Sequence, residues 1–379
     1  MAGPATPDAL PPEAELVLRR QRGVVRTLRA EGALLPLVLL AGVVALIALD
    51  GVVPFALGVV LALLPVPLVG AVLLRLDRFE PEPTRLIART FLWGAGAATA
   101  IALLVNTVVG LTAGDFAAAV FSAPIVEEAA KALALVFVVR RRPGLLDGVH
   151  DGIVYAAWVG LGFATVENVL YYAEALASGG TEALAGTAVL RGLVTPLCHP
   201  IFTAMTGIGL GYMVARGRGR AGLAVGLLAG LALAIALHAL WNLSASTGAA
   251  PYAYLLGYLP LSALGLALLV GGARRERRIL RRGLAPEVER GTLSPAEFDL
   301  LCAGGRARAR LRRRARRAAP GARQLVYRYE ASAYELAHAN AVGARPGRSD
   351  PAASAAALRA SVVQVRTALA TQAPGVLPA

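Results

Sequence analysis

The chain has 379 residues, of which 56% are hydrophobic and 16% charged, with a mean hydropathy of +0.61. Globular domains run near a quarter charged, so this balance excludes one or two soluble domains and points to a polytopic membrane protein. The net charge of +14 would suit a nucleic-acid binder, but the arginines lie between apolar runs and in the C-terminal segment, as topology determinants do, so no nucleic-acid partner is expected.

Residues 1–32 lack the short charged-then-apolar layout of a signal peptide and read as a cytoplasmic N-terminal segment. Insertion is expected to rely on the first internal span. Apolar runs of roughly 20 residues, enough to cross a ~30 Å hydrocarbon core, then recur along residues 33–272. There are eight, at 33–49, 52–74, 90–111, 116–139, 152–172, 187–214, 221–246 and 252–272. Arginine-rich connections (Arg19 to Arg29, Arg75 to Arg89, Arg140 to Arg142, Arg216 to Arg220, Arg274 to Arg278) alternate with connections that hold neither Arg nor Lys. That asymmetry predicts a multi-pass protein of the cell membrane with both termini in the cytoplasm.

Residues 273–379 are expected to form a basic, partly disordered cytoplasmic tail, attracted to anionic lipid through runs such as "RARARLRRRARR". A short helix from Ser294 to Leu301 is expected within it, opened by an S-P-A-E capping pattern. Cys198 and Cys302 are too few to suggest a disulfide framework. The expected fold class is therefore an all-α polytopic membrane protein, with about eight transmembrane helices and a basic cytoplasmic tail.

Four of the expected spans carry polar groups near mid-depth. The fourth holds Glu127, Glu128 and Lys131, the last being the only lysine in the chain. The fifth brings Glu167 and Asn168, the sixth His199, and the seventh His238 and Asn242. An ionised side chain at a helix centre costs ~2.5–3.5 kcal/mol, so three carboxylates and a lysine would cost on the order of 10 kcal/mol facing lipid. That rivals the whole stability of a typical fold. These groups must face a shared polar interior. Counted from the outer helix ends, Glu127 and Glu128 lie about 11 residues deep, His199 about 12, His238 about 8 and Glu167 about 5. At 1.5 Å per residue the spread is roughly 10 Å, which allows one common site.

Each group also has a structural explanation. Glu127 and Lys131 stand at i and i+4 with Glu on the favourable side, and such a pair neutralises itself. Glu128, about 100° further round the helix, is left over. Glu167 shares a stripe with Gly160, Ala164 and Tyr171, where small residues let a second helix approach, so an interhelical hydrogen bond would account for it. His199 lies between Pro196 and Pro200, and a distorted backbone at that depth is tolerated where it lines a cavity. Taken together, two histidines and a carboxylate can hold a zinc ion with one position open for water. A second carboxylate can take the proton of that water, and an amide can orient ligands or bind an oxyanion. No HExxH, C-x-x-C or GxSxG pattern is present.

The stretches "DRFEPEP" (77–83), "APIVEEAAK" (123–131), "DGIVYAAWVGLGFATVEN" (151–168), "HPIFTAMTG" (199–207) and "HALWN" (238–242) occur in that order. In this the chain resembles the PrsW family of membrane-embedded proteases, distant relatives of the CAAX-processing endopeptidases, over roughly residues 70 to 245. The resemblance implies a metal-dependent endopeptidase, with zinc the expected ion, acting on a single-span membrane protein within the lipid bilayer. Regulated proteolysis of an anti-sigma factor is the implied example. By position it implies that Glu127 and Glu128 are the paired glutamates, one activating water, with Glu128 the sharper expectation. Glu167, His199 and His238 are the implied metal ligands, and Asn242 a supporting ligand or oxyanion donor. Ala156 stands where a glycine is often found, which bears on packing. A proton-coupled transporter or channel, or a non-catalytic scaffold, are the rival readings; metal content and a flux assay separate them.

Overall fold

The computed structural model describes residues 31–48, 51–76, 82, 84–141, 145–146, 148–303, 305–342 and 351–378. They are helical nearly throughout, with no strand among the described residues, in line with the expected all-α class. Two compact units are present, one of them Leu28–Ala267 and the other including Leu268–Ala379.

Among the described residues, four helical segments of the first unit are long and apolar enough to cross a membrane: Val52–Arg75, Thr84–Ala113, Val149–Ala215 and Arg220–Ser246. Leu34–Leu46 is a shorter apolar helix. The helix Ala123–Arg141 has 19 residues but is too charged to join the four, because Glu127, Glu128 and Lys131 sit in its middle. The outside of the unit carries exposed Leu104, Leu111, Leu193, Leu228 and Leu256, a surface suited to lipid rather than water.

Val149–Ala215 takes in the fifth and sixth expected spans. Its first part, Val149–Val189, is two helices that meet at Gly180, where φ is +67° and only glycine is unstrained; the first of them, 149–179, is the long helix. A π-helical turn follows at Leu190–Val194, and the chain breaks at Thr195–Leu197 before the helix Cys198–Ala215 begins. Pro196 explains the break: it removes an amide donor and pushes Thr195 out of helical angles, to φ −124° and ψ 33°. The distortion expected around His199 is thus a complete interruption, with His199 in the first turn of the new helix.

The long helix is the centre of the unit, with Val154, Tyr155, Val159 and Phe163 fully buried. Small residues make this possible. At Gly160 a side-chain carbon would lie 2.6 Å from the carbonyl oxygen of His199, so the glycine lets the long helix touch the backbone that carries the histidine. Ala156, the departure from the family pattern, is fully buried opposite Gly207, which has room for it. Of the "DRFEPEP" stretch, residues 77–81 and 83 lie outside the described residues. Glu82 accepts a hydrogen bond from the Tyr155 hydroxyl, which ties that stretch to the long helix.

In the second unit the described residues form the helices Pro295–Cys302, Gly305–Ala318, Ala322–Val342 and Pro351–Gln372, with the end of the helix Leu259–Glu289. Leu280, Leu284, Leu301, Val326, Tyr329, Leu336, Val362 and Leu369 fill its core. The capping pattern is realised: Ser294 Oγ accepts from the Glu297 amide at 3.2 Å, and Glu297 Oε2 accepts from the Ser294 amide at 2.7 Å. Buried Glu287 accepts from Arg359 Nε and Nη2, both at 2.7 Å, and from Asn340 at 2.9 Å. Burial alone would raise its carboxyl, but hydrogen bonds from Arg359, Asn340 and Thr292 outweigh this and hold it down at about 2. On Gly305–Ala318, Leu311 and Ala315 face the core while Arg310, Arg313, Arg314, Arg316 and Arg317 are exposed. That helix is amphipathic, with a cationic outer face.

Candidate metal centre

The helix Ala123–Arg141 follows directly on a π-helical turn, Ala118–Ser122. Turns of this kind often mark functional sites because they rotate the helix beyond them and free backbone carbonyls. Here Asn242 Nδ2 donates to the Ala119 carbonyl at 2.8 Å, pinning the turn to the helix Arg220–Ser246.

Glu127, Glu128 and Lys131 are all buried. The expected Glu127–Lys131 pair forms at 3.3 Å, but Lys131 Nζ lies closer to Glu128 Oε1, at 2.8 Å. Both carboxylates therefore share one ammonium. The same Nζ lies 3.0 Å from His199 Nδ1 and 3.7 Å from the centre of the Phe163 ring, a cation–π contact. Lys131 does more than neutralise its own helix; it draws His199 to it.

Hydrogen-bond roles fix both imidazoles. An ammonium only donates, so His199 Nδ1 carries the lone pair and Nε2 the proton. That Nε2 lies 2.8 Å from Glu167 Oε2, which accepts it. His238 Nδ1 lies 3.1 Å from Glu128 Oε1 and donates to it, leaving the Nε2 lone pair 3.9 Å from Glu127 Oε2. Each histidine thus has a carboxylate behind it, while in front His199 Nδ1 accepts from Lys131 and His238 Nε2 faces Glu127. The rings stand 5.2 Å apart and nearly perpendicular, and Phe202 stacks on His238 at 5.2 Å. Thr203 Oγ1, one turn beyond His199, donates to Glu128 Oε2 at 3.0 Å.

Among the described residues, one buried group offers three metal-ligating atoms close together: Glu127, His199 and His238, within 4.8 Å of one another. Two imidazoles and a carboxylate, with nitrogen and oxygen donors, match the donor set of catalytic zinc sites. The six expected residues are brought together unequally. Glu127, Glu128, His199 and His238 meet at the centre. Glu167 stands behind His199, outside the group of three, and Asn242 spends its amide on Ala119.

Sequence reasoning passed over three contributors. Thr203 holds Glu128; Asn106 reaches Glu127 Oε1 at 3.5 Å and accepts from Ser122 at 2.8 Å. Arg191 bonds Glu167 directly, and its Nε donates to Asn168 Oδ1 at 2.6 Å. Arg191 and Asn106 both lie inside expected apolar spans, and a polar group at such depth is itself the signal.

Residues 82–265 match the family model described as PrsW family intramembrane metalloprotease. A protein named Protease PrsW from Geobacillus kaustophilus (strain HTA426) is 36% identical over 137 residues, covering 36% of this chain and 57% of the relative. Protease PrsW of Bacillus subtilis (strain 168) is 32% identical over 137 residues, 36% of this chain and 59% of the relative. That of Clostridioides difficile (strain 630) is 29% identical over 167 residues, 41% of this chain and 64% of the relative. The chain thus spans between 57% and 64% of the length of these relatives. No solved structure matches it. Both glutamates of the pair, Glu167, the two histidines and Asn242 all fall inside residues 82–265, the stretch that is similar to the PrsW family of intramembrane metalloproteases.

Proposed function

We propose that this protein is a zinc-dependent endopeptidase that hydrolyses a peptide bond of a single-span membrane protein. The observation that carries the proposal is the buried group of Glu127, His199 and His238, contributed by the three helices Ala123–Arg141, Cys198–Ala215 and Arg220–Ser246. Those three residues hold the ion; Glu167 and the Oε1 atom of Glu128 orient the two imidazoles from behind. When bound, zinc supplies a Lewis acid and lowers the pKa of a bound water.

The chain's own groups do the rest. Glu128 Oε2 accepts from Thr203 and keeps a second lone-pair direction for a proton. Glu128 is thereby the base that takes the proton from water and returns it to the leaving amine. Lys131 holds both glutamates in register, and Asn242 supports the turn that precedes them. An anti-sigma factor is one substrate of the proposed class. Eight passes, both termini in the cytoplasm and residence in the cell membrane complete the proposal. Purified protein should contain about one zinc per chain by elemental analysis; metal-free protein that nonetheless cleaves substrate would sink it.

The domain division proposed with this function is 1–32, 33–272 for the catalytic membrane unit and 273–379 for the appended basic unit. Its outward arginines, Arg310, Arg313, Arg314, Arg316 and Arg317, suit anionic headgroups, each such residue near a charged surface contributing about 1 kcal/mol. In nanodiscs, hydrogen exchange across Gly305–Ala318 should slow when neutral lipid is replaced by phosphatidylglycerol. Equal exchange in both lipids rejects the contact.

A further inference from the structure

Arg191 is an ionised residue in an apolar span, and its partners are specific. It sits on the π-helical turn Leu190–Val194, just before the break that leads to His199. One guanidinium nitrogen, Nη2, bonds Glu167 Oε2; another, Nε, donates to Asn168 Oδ1 at 2.6 Å. The guanidinium carbon lies 3.8 Å from the centre of the Tyr171 ring. Three side chains of one helical turn therefore hold a planar cation in a single orientation, which a lysine's point charge does not reproduce.

A simple ion pair between the long helix and the turn would account for Arg191 and Glu167 alone. It does not account for the second use of the same oxygen: Glu167 Oε2 also meets His199 Nε2 at 2.8 Å. One carboxylate oxygen thus joins the guanidinium to the imidazole. By accepting the Nε2 proton it keeps the lone pair on Nδ1, the atom that faces Lys131. Without Arg191, Glu167 is free to swing away and the ring can change tautomer or rotate.

We infer that Arg191 is a positioning residue for metal binding: it fixes Glu167, and Glu167 keeps His199 Nδ1 unprotonated, so that this atom, which here accepts from Lys131, can exchange that hydrogen bond for a metal. This rests on the hydrolytic reading above. Outer partners of a metal-bound histidine typically govern affinity by 10–100-fold. Zinc affinity of the purified full chain, measured by competition with a chelator, should accordingly fall about 10–100-fold in Arg191→Ala. Arg191→Lys should lie between that variant and the parent. Glu167→Gln should weaken binding comparably, and the double variant should be no weaker than the worse single one, because both act on one chain of contacts.

Nitrogen NMR of the metal-free protein gives a second readout. The Nε2-protonated tautomer of His199 should dominate in the parent and lose its dominance in Arg191→Ala. If Arg191→Ala does not fold, Arg191→Lys and Glu167→Gln carry the same comparison. Parent-like zinc affinity and an unchanged tautomer in the Arg191 variants, or additive losses in the double variant, overturn the inference alone. A parent protein that binds no metal overturns the hydrolytic reading and the inference together.

Discussion

Glu128→Gln is expected to keep about one zinc per chain while cleavage of a single-span substrate falls ~10²–10⁴-fold, the usual worth of a positioned base. The amide is nearly isosteric with the carboxylate. Its oxygen can still accept from His238 Nδ1 and Lys131 Nζ at the position Oε1 now holds, 3.1 and 2.8 Å away. Its nitrogen faces Thr203 Oγ1, whose hydroxyl can turn from donor to acceptor. Orientation of His238 is therefore preserved, and what disappears is basicity. Metal content and single-turnover cleavage, measured on one preparation, decide the matter. Undiminished cleavage would remove Glu128 from the mechanism. Loss of metal together with cleavage would make it a ligand.

His199→Ala should have a different signature, losing metal and cleavage together. Removing an outer partner of a ligand costs 10–100-fold in affinity, so removing the ligand itself should cost more than ~100-fold. The fold should tolerate the change. Lys131 keeps both carboxylates, Glu127 at 3.3 Å and Glu128 at 2.8 Å, so no buried charge is orphaned. Glu167 keeps Arg191. Elemental analysis beside circular dichroism tests both halves. Stoichiometric zinc in this variant would mean that the histidine is not a ligand.

The two variants divide the site along a line that the sequence only partly drew. Apolar periodicity and the depth of the polar groups were enough to bring Glu127, Glu128, His199 and His238 into one place. Depth also held a clue that went unread. Glu167 was the shallowest of the set, and in the structure it sits behind His199 rather than at the centre. Which of two carboxylates stands in front of a histidine depends on helix rotation, and rotation here is set by π-helical turns at Ala118–Ser122 and Leu190–Val194. Spacing rules built on 3.6 residues per turn cannot see such turns. Arg191 was missed for a related reason. Topology reasoning weighs arginines at helix ends, and the partners of Arg191, Glu167 and Asn168, lie 24 and 23 residues earlier in the chain, across the reversal at Gly180.

Hydropathy placed most of the membrane-length helices, but Ala123–Arg141 shows where that measure stops. The helix that carries Glu127 and Glu128 is one that its charges disqualify.

Lys131 has one more consequence, for the order of events during synthesis. A segment bearing two carboxylates has to leave the insertion machinery before its partner helices, and their histidines, have been made. Because the ammonium is on the same helix, within 3.3 Å of one carboxylate and 2.8 Å of the other, the segment brings its own counter-ion into lipid. An unshielded charge at the helix centre costs ~2.5–3.5 kcal/mol, and the pairing offsets part of that cost three residues at a time. The helix then enters with these three residues carrying one net negative charge instead of two.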